Sequence, residues 1–363
     1  MPEFFRIEML PAGHGDALWI EYGNELETNR ILIDGGTVST YPHLLQRVEQ
    51  VPGNERYFEL VVLTHVDADH IEGLLRLFAD NPIPCKPDRV LFNGWRQMEP
   101  AHGLLGPLQG EFLSALLAVR ARDAWKAEGP PLVVPDDGPL PVINLRGGMK
   151  LTLLSPSWPK LKAMADEWRK TIDKAGFKPG DLDAAWAILA GKKKFLPEEG
   201  LLGATPELDE KLREGFRPDH AKANGSSLAF LAEYGGKSAL LLGDAHPDVI
   251  HDSLRRLCQE RNQEKLAVDV VKLSHHGSKN NTSPEMLEGL DCSRYLVSTN
   301  GSHFDHPDEI CMQRVIQFGK PGELVFNYDS DFTRPWHSGD APGKHGYVAR
   351  VRAKDDVSIV TEV

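Results

Sequence analysis

The chain has 363 residues, of which 41% are hydrophobic and 26% charged, so it has ordinary globular proportions and more length than one compact core usually needs. A formal net charge of −12 disfavours bulk electrostatic binding of long nucleic acids, while leaving room for a local basic groove. No apolar run approaches membrane-spanning length, Met1-Pro2-Glu3-Phe4-Phe5-Arg6 lacks the features of a secretory signal, and the four cysteines show no C-x-x-C spacing; these features predict a cytoplasmic protein with reduced thiols and no membrane partner.

In chain order, the pattern predicts strands over 4–10, 16–22 and 30–33, separated by Gly and Asn turns, which makes an antiparallel opening meander. Leu44, Leu45 and Val48 give residues 41–51 helical spacing. Residues 60–63 are a short continuous apolar run of the kind that makes a buried strand, and Thr64-His65-Val66-Asp67-Ala68-Asp69-His70 follows at once. Four metal-capable side chains thus fall within six positions, between a strand and a helix predicted over 71–78. Loops at that edge of an α/β sheet commonly carry function.

A short strand is expected at 89–92, an amphipathic helix at 112–127, and a hairpin of 142–145 and 149–154 through Arg146-Gly147-Gly148. From Ser155 the pattern changes. Residues 158–223 hold 13 Lys plus Arg and 12 Asp plus Glu, with helical candidates at 159–175, 182–190 and 206–215, and read as a mainly helical insertion acting as a lid or partner surface. Its Trp158, Trp168 and Trp186 suit packing better than base stacking, and Lys192-Lys193-Lys194 suits a solvated turn better than a phosphate contact. Beyond it, strands at 227–233 and 237–242 form a hairpin that ends at Asp244, and the apolar strand 268–273 delivers His275-His276-Gly277-Ser278. Strands at 295–298 and 323–327 follow, and 347–351 with 357–360 reads as a closing hairpin.

The H-x-D-x-D-H spelling from His65 to His70 resembles the signature of the metallo-β-lactamase-fold hydrolases, in the variant of the ComEC-type branch, where Asp67 replaces a His. Further segments match that branch in order: Gly13-His14-Gly15-Asp16-Ala17, Leu32-Ile33-Asp34-Gly35-Gly36, Leu240-Leu241-Leu242-Gly243-Asp244, Lys272-Leu273-Ser274-His275-His276-Gly277-Ser278, and His306-Pro307 after Asn300-Gly301. The resemblance covers about residues 4–92, 142–156 and 224–327. It implies an α/β fold, an αββα four-layer sandwich in two halves, 1–157 and 224–363, around the helical insertion 158–223, in a free-standing relative of a membrane protein.

By the same resemblance two divalent ions are expected, with His65 and Asp67 on the first, Asp69, His70 and His275 on the second, and Asp244 bridging both. Asp67 and Asn224 stand where the common pattern has His, so the first position looks rich in oxygen; that favours manganese or magnesium, while zinc remains compatible with the second. A water activated by both ions would then be the nucleophile, with no Ser or Cys needed. Asp69 is the candidate to orient that water, and His306 and His276 are candidate proton donors to the leaving group. Ser278, Lys279 and Asn224 are candidate substrate contacts, and Asp16 and Asp34 candidate orienters of the ligands, with His14 a neighbour rather than a ligand. A phosphodiesterase or nuclease is the first expectation, with a phosphodiester, nucleic acid included, as its partner. A small-molecule metallohydrolase, acting on cyclic nucleotides, phosphorylcholine esters or lactones, is the second, and a non-catalytic binding protein the third.

Overall fold

A computed structural model describes residues 2–98, 107–125, 129–191 and 216–363. The expected helix at 206–215 and Lys192 to Lys194 lie outside the described residues. Alternation along the strands shows how the layers are built. In Leu18–Asn24 and Thr28–Ile33, Leu18, Ile20, Tyr22, Ile31 and Ile33 point into one apolar core, while Trp19 and Leu32 point into another. Leu60 and Val62 join the first core and Val61 the second. A strand whose two faces are both apolar must be covered on both sides.

The first core fills the space between two sheets. One has six strands in the spatial order Ile359–Glu362, Glu3–Met9, Leu18–Asn24, Thr28–Ile33, Leu60–Val62 and Val90–Leu91. The other has eight, in the order Val348–Val351, Glu323–Phe326, Arg294–Val297, Val270–Lys272, Lys237–Leu241, Ala229–Tyr234, Lys150–Ser155 and Val142–Asn144. Helices Tyr41–Glu49, Ala68–Ala79 and Pro107–Arg120 cover the six-stranded sheet through the second core, and Pro247–Arg261 and Pro284–Glu288 pack outside the other. The result is the expected four-layer αββα sandwich.

Each sheet is antiparallel on one side and parallel on the other. Thr28–Ile33, Leu60–Val62 and Val90–Leu91 run parallel, as do Lys237–Leu241, Val270–Lys272, Arg294–Val297, Glu323–Phe326 and Val348–Val351. The carboxyl ends of the parallel strands deliver Asp34, His65, Asp244, His275 and Ser298 to one edge of the sandwich. The closing hairpin is not formed. Val348–Val351 pairs parallel with Glu323–Phe326, while Ile359–Glu362 crosses to the other sheet and pairs antiparallel with Glu3–Met9. Ile359–Glu362 buries alternate residues, Ile359 and Thr361, and each segment takes the edge of a different sheet.

The helix Trp158–Ala175 lies in the outer layer of the six-stranded sheet. Leu161, Met164, Ala165, Trp168 and Ile172 are buried there with Phe112, Leu113 and Leu116. Trp168 Nε1 donates to Glu111 Oε1 (2.8 Å). Trp168 is therefore packing, and Trp158 and Trp186 lie partly buried against the same core.

Candidate metal centre

Asp34 is the first fixed point of the site. Its backbone sits in the left-handed region (φ 61°), with its N–H donating to the Val62 carbonyl (2.8 Å). The carboxylate then accepts from Thr64 N and Thr64 Oγ1 (both 2.7 Å) and from His70 Nδ1 (2.8 Å). Because the Thr64 hydroxyl spends its proton on Asp34, its oxygen is left to accept from His65 Nδ1 (3.1 Å). One carboxylate thereby sets two imidazoles. Gly15 approaches the loop so closely that a Cβ there would lie 1.8 Å from the Asp69 carbonyl oxygen, which leaves no room for a side chain.

The second pair of imidazoles comes from the other sheet. His275 and His276 are consecutive, and in an extended strand they would face opposite ways. Both instead have left-handed backbone (φ 46° and 57°), pinned by His275 N donating to the Gly243 carbonyl (2.9 Å) and Ser278 N to the His275 carbonyl (2.9 Å). The turn sends both rings inward. His276 Nδ1 donates to the Ser298 carbonyl (2.9 Å), and His275 Nδ1 to Asn281 Oδ1 (2.9 Å).

With every Nδ1 committed, the four Nε2 atoms are free to bind a cation, and they converge. Asp244 Oδ2 lies 3.7 Å from His65 Nε2, 3.4 Å from His70 Nε2, 3.7 Å from His275 Nε2 and 3.7 Å from His276 Nε2. Asp67 Oδ2 is 3.6 Å from His65 Nε2, and Asp69 Oδ2 is 3.7 Å from His70 Nε2 and 3.4 Å from His276 Nε2. His65 Nε2 and Asp244 Oδ1 are buried without a hydrogen-bond partner. Buried polar atoms of this kind call for a ligand, and the mixed imidazole and carboxylate set fits a divalent cation.

The charges agree with this. Burial alone would keep His70, His275 and His276 neutral, but Asp244 with Asp69, Asp34, Asp219 and Asp16 raises all three, His276 to about 9. Burial alone would raise Asp69 and Asp244, yet the facing imidazoles hold both below the usual carboxylate range. The site concentrates negative charge that protons or metal ions must balance.

The sequence expectations divide on this geometry. His65, Asp67, Asp69, His70, Asp244 and His275 are brought together, and His276, expected as a proton donor, sits fully buried among them with its Nε2 on Asp69, His70 and Asp244. Asn224 lies behind the site rather than facing a substrate: its Nδ2 donates to Asp219 Oδ2 (2.7 Å) and stands 3.3 Å from His275 Nδ1. Position 224 therefore supports His275 from behind, while His275 Nε2 faces Asp244 Oδ2 at 3.7 Å. Lys279 is held away by Asp308, through both its backbone N–H (2.9 Å) and its ammonium (3.0 Å), and Ser278 is buried in the turn. His306 lies beside His275, ring centroids 5.3 Å apart, and burial together with the His275 charge lowers it to about 3. That direction favours the neutral ring, which offers an N–H rather than an imidazolium.

Sequence reading missed Asp219, Asn281 and Lys272. Asp219 Oδ2 also accepts from Asn281 Nδ2 (3.1 Å), and so steadies the partners of His275. Lys272 is fully buried and pairs with Asp16, whose other oxygen lies 3.4 Å from His276 Nδ1.

No family model matches the chain. ComE operon protein 3 of Bacillus subtilis is 30% identical to it over 119 residues, which is 31% of this chain but 15% of that protein's length. Among solved structures, the metallo-β-lactamase fold protein YhfI of Bacillus subtilis aligns over 99% of this chain and 100% of its own, with a TM-score of 0.39 and 12% identity. CmlA, a diiron β-hydroxylase of Streptomyces venezuelae, aligns over 100% of this chain and 54% of its own, with a TM-score of 0.37 and 12% identity. Among the described residues no helix is long and apolar enough to cross a membrane.

Proposed function

We propose that the chain is a metal-dependent hydrolase that acts on phosphodiesters, with a nucleotide or nucleic acid as the substrate class and the cytoplasm as its location. The observation that carries this reading is the convergence of four imidazole Nε2 atoms on Asp244 Oδ2 at 3.4–3.7 Å, flanked by Asp67 and Asp69. Two such ions would be held by His65 and Asp67 on one side and by Asp69, His70 and His276 on the other, with Asp244 shared and His275 against it. Zinc and manganese both suit these sets, and magnesium is compatible with the carboxylates. When bound, such ions supply a water acidic enough to ionise near neutral pH and an electrophile for the attacked oxygen.

The chain's own groups do the rest. Asp34, Ser298 and Asn281 hold the imidazoles with Nε2 forward, and Asp69 is fixed by His70 and His276 where it can accept a proton from an attacking water. His306, neutral beside His275, is placed to donate a hydrogen bond to a departing oxygen.

Elemental analysis of purified protein, with hydrolysis of linear DNA, RNA, cyclic nucleotides, an alkyl phosphodiester and a lactone measured with manganese, magnesium and zinc, tests this. Turnover of at least one phosphodiester, lost in Asp244→Asn, is expected. Turnover of the lactone alone would favour the small-molecule alternative, and metal binding with no turnover would favour a binding protein.

A further inference from the structure

The loop after Arg294–Val297 carries an exposed aromatic side chain to the edge of the metal centre. Phe304 is 54% exposed, with its ring centroid 6.3 Å from His275 and 5.9 Å from His306. On its other side it lies 4.2 Å from His303, which is 5.0 Å from His14. His14 in turn feels the charges of Asp69, His276 and His70. Five rings thus run as a rim from one half of the centre to the other. A single exposed phenyl on a surface needs no explanation. One that continues a row of imidazoles ending at a candidate metal ligand does.

The loop is also pinned. Asn300 N donates to the Gly13 carbonyl (2.9 Å), Gly13 N to Tyr328 Oη (2.8 Å), and Asp305 N to the Gly301 carbonyl (3.1 Å). Gly301 has φ 75°, and a Cβ there would lie 2.1 Å from the ring of Phe332 beneath it. The backbone on either side of Phe304 is therefore fixed, which costs less on binding than ordering a loose loop.

We propose that Phe304, with His303 and His14, stacks on a nucleobase carried by the phosphodiester at the metal centre, so that the preferred substrates are nucleotides rather than choline, alkyl or lactone esters. This rests on the phosphodiesterase reading. Every base offers a π-face, so an aromatic platform selects bases as a class without reading their order, while the imidazole edges supply hydrogen-bonding groups. The net charge of −12 favours one or a few nucleotides over a long strand.

The test is titration calorimetry on manganese-loaded full-length protein with adenosine 5′-monophosphate and with 1-O-methyl-ribofuranoside 5-phosphate, in which a methoxy group replaces the base at C1′. Wild type is expected to bind the nucleotide about tenfold tighter or more, the order of one base–aromatic stack. Phe304→Ala is expected to remove most of that ratio at unchanged metal content, and Phe304→Trp to keep it. Equal affinities in wild type, or an unchanged ratio in Phe304→Ala, would overturn the proposal. The hydrolytic reading fails separately: a Phe304-dependent preference without turnover of any phosphodiester would keep the base subsite and remove the phosphodiesterase, and turnover without base preference would do the reverse.

Discussion

His275 and His276 show how much the site depends on single backbone angles. A non-glycine residue in the left-handed region costs about 1–2 kcal/mol, and two in succession persist here because each ring finds its own acceptor, Asn281 for one and Ser298 for the other. Both rings reach Asp244 Oδ2 at 3.7 Å, and on the proposed reading they hold different ions. His275→Ala and His276→Ala are expected to lose one metal ion per chain each, and Asp244→Ala both, by elemental analysis; the same loss in all three would show a site that does not divide. Protons should report the same groups. With His276 raised to about 9 and His70 and His275 also raised, a cation must displace protons at pH 7. The contribution of His276 to metal-free stability is complete below its ordinary value of 6.5 and is lost as pH rises through about 9, and His70 and His275 act in the same direction. Metal affinity should therefore rise with pH over that window, and calorimetric heats should vary with the ionisation enthalpy of the buffer. Heats that do not vary would mean the rings are already neutral. His65, Asp69, His70 and Asp244 were legible because each directly follows or closely trails an apolar strand. The division of labour between His275 and His276 was not, since the sequence spells two identical residues and the turn alone decides where they point.

At the scale of elements, long apolar runs were readable and their partners were not. Residues 60–63 and 268–273 announce buried strands, yet the second run contains Lys272, which its apolar neighbours conceal in a sequence pattern. That lysine is fully buried at the end of Val270–Lys272, and its partner Asp16 comes from the turn before Leu18–Asn24 on the other sheet. Burial would raise Asp16, but Lys272 and His276 outweigh it and hold the carboxyl below its usual range. The pair thus ties the two sheets together beneath the metal centre. Removing one partner of a buried pair strands the other charge, so Lys272→Met is expected to cost about 3–5 kcal/mol in urea unfolding. The Asp16 contribution should be present above pH 3.8 and lost as pH falls below it. A cost under about 1 kcal/mol would show that the pair adds nothing beyond packing. The fate of residues 348–351 and 359–362 was illegible for a related reason: alternation says which face of a strand is apolar but not which of two sheet edges receives it.

For the whole molecule, the first helix of the segment read from sequence as a lid or partner surface is part of the outer layer. The helix Trp158–Ala175 buries Leu161, Met164, Trp168 and Ile172 completely, and Gly110 on the facing helix leaves the space that Trp168 fills, where a Cβ would lie 2.3 Å from its ring. At about 1.5–3 kcal/mol for each fully buried side chain of this size, these four contribute roughly 6–12 kcal/mol, which is comparable to the whole stability of a typical domain, about 5–15 kcal/mol. The same region reaches the back of the metal centre: Lys160 Nζ lies 3.0 Å from His246 Nδ1, His246 Nε2 lies 4.0 Å from Asp219 Oδ1, and Asp219 accepts from Asn224 and Asn281 beside His275. Deleting residues 160–220 would strip the outer layer from Pro107–Arg120 and remove the Asp219 carboxylate that lies behind His275, Asn224 and Asn281. The truncated protein is therefore expected to lose its cooperative unfolding transition, and Trp168→Ala alone to cost about 3–5 kcal/mol. A truncated protein that folds, binds metal and hydrolyses substrates at altered relative rates would return the segment to the part of a lid, because only a wall that is dispensable for folding is free to act as a gate.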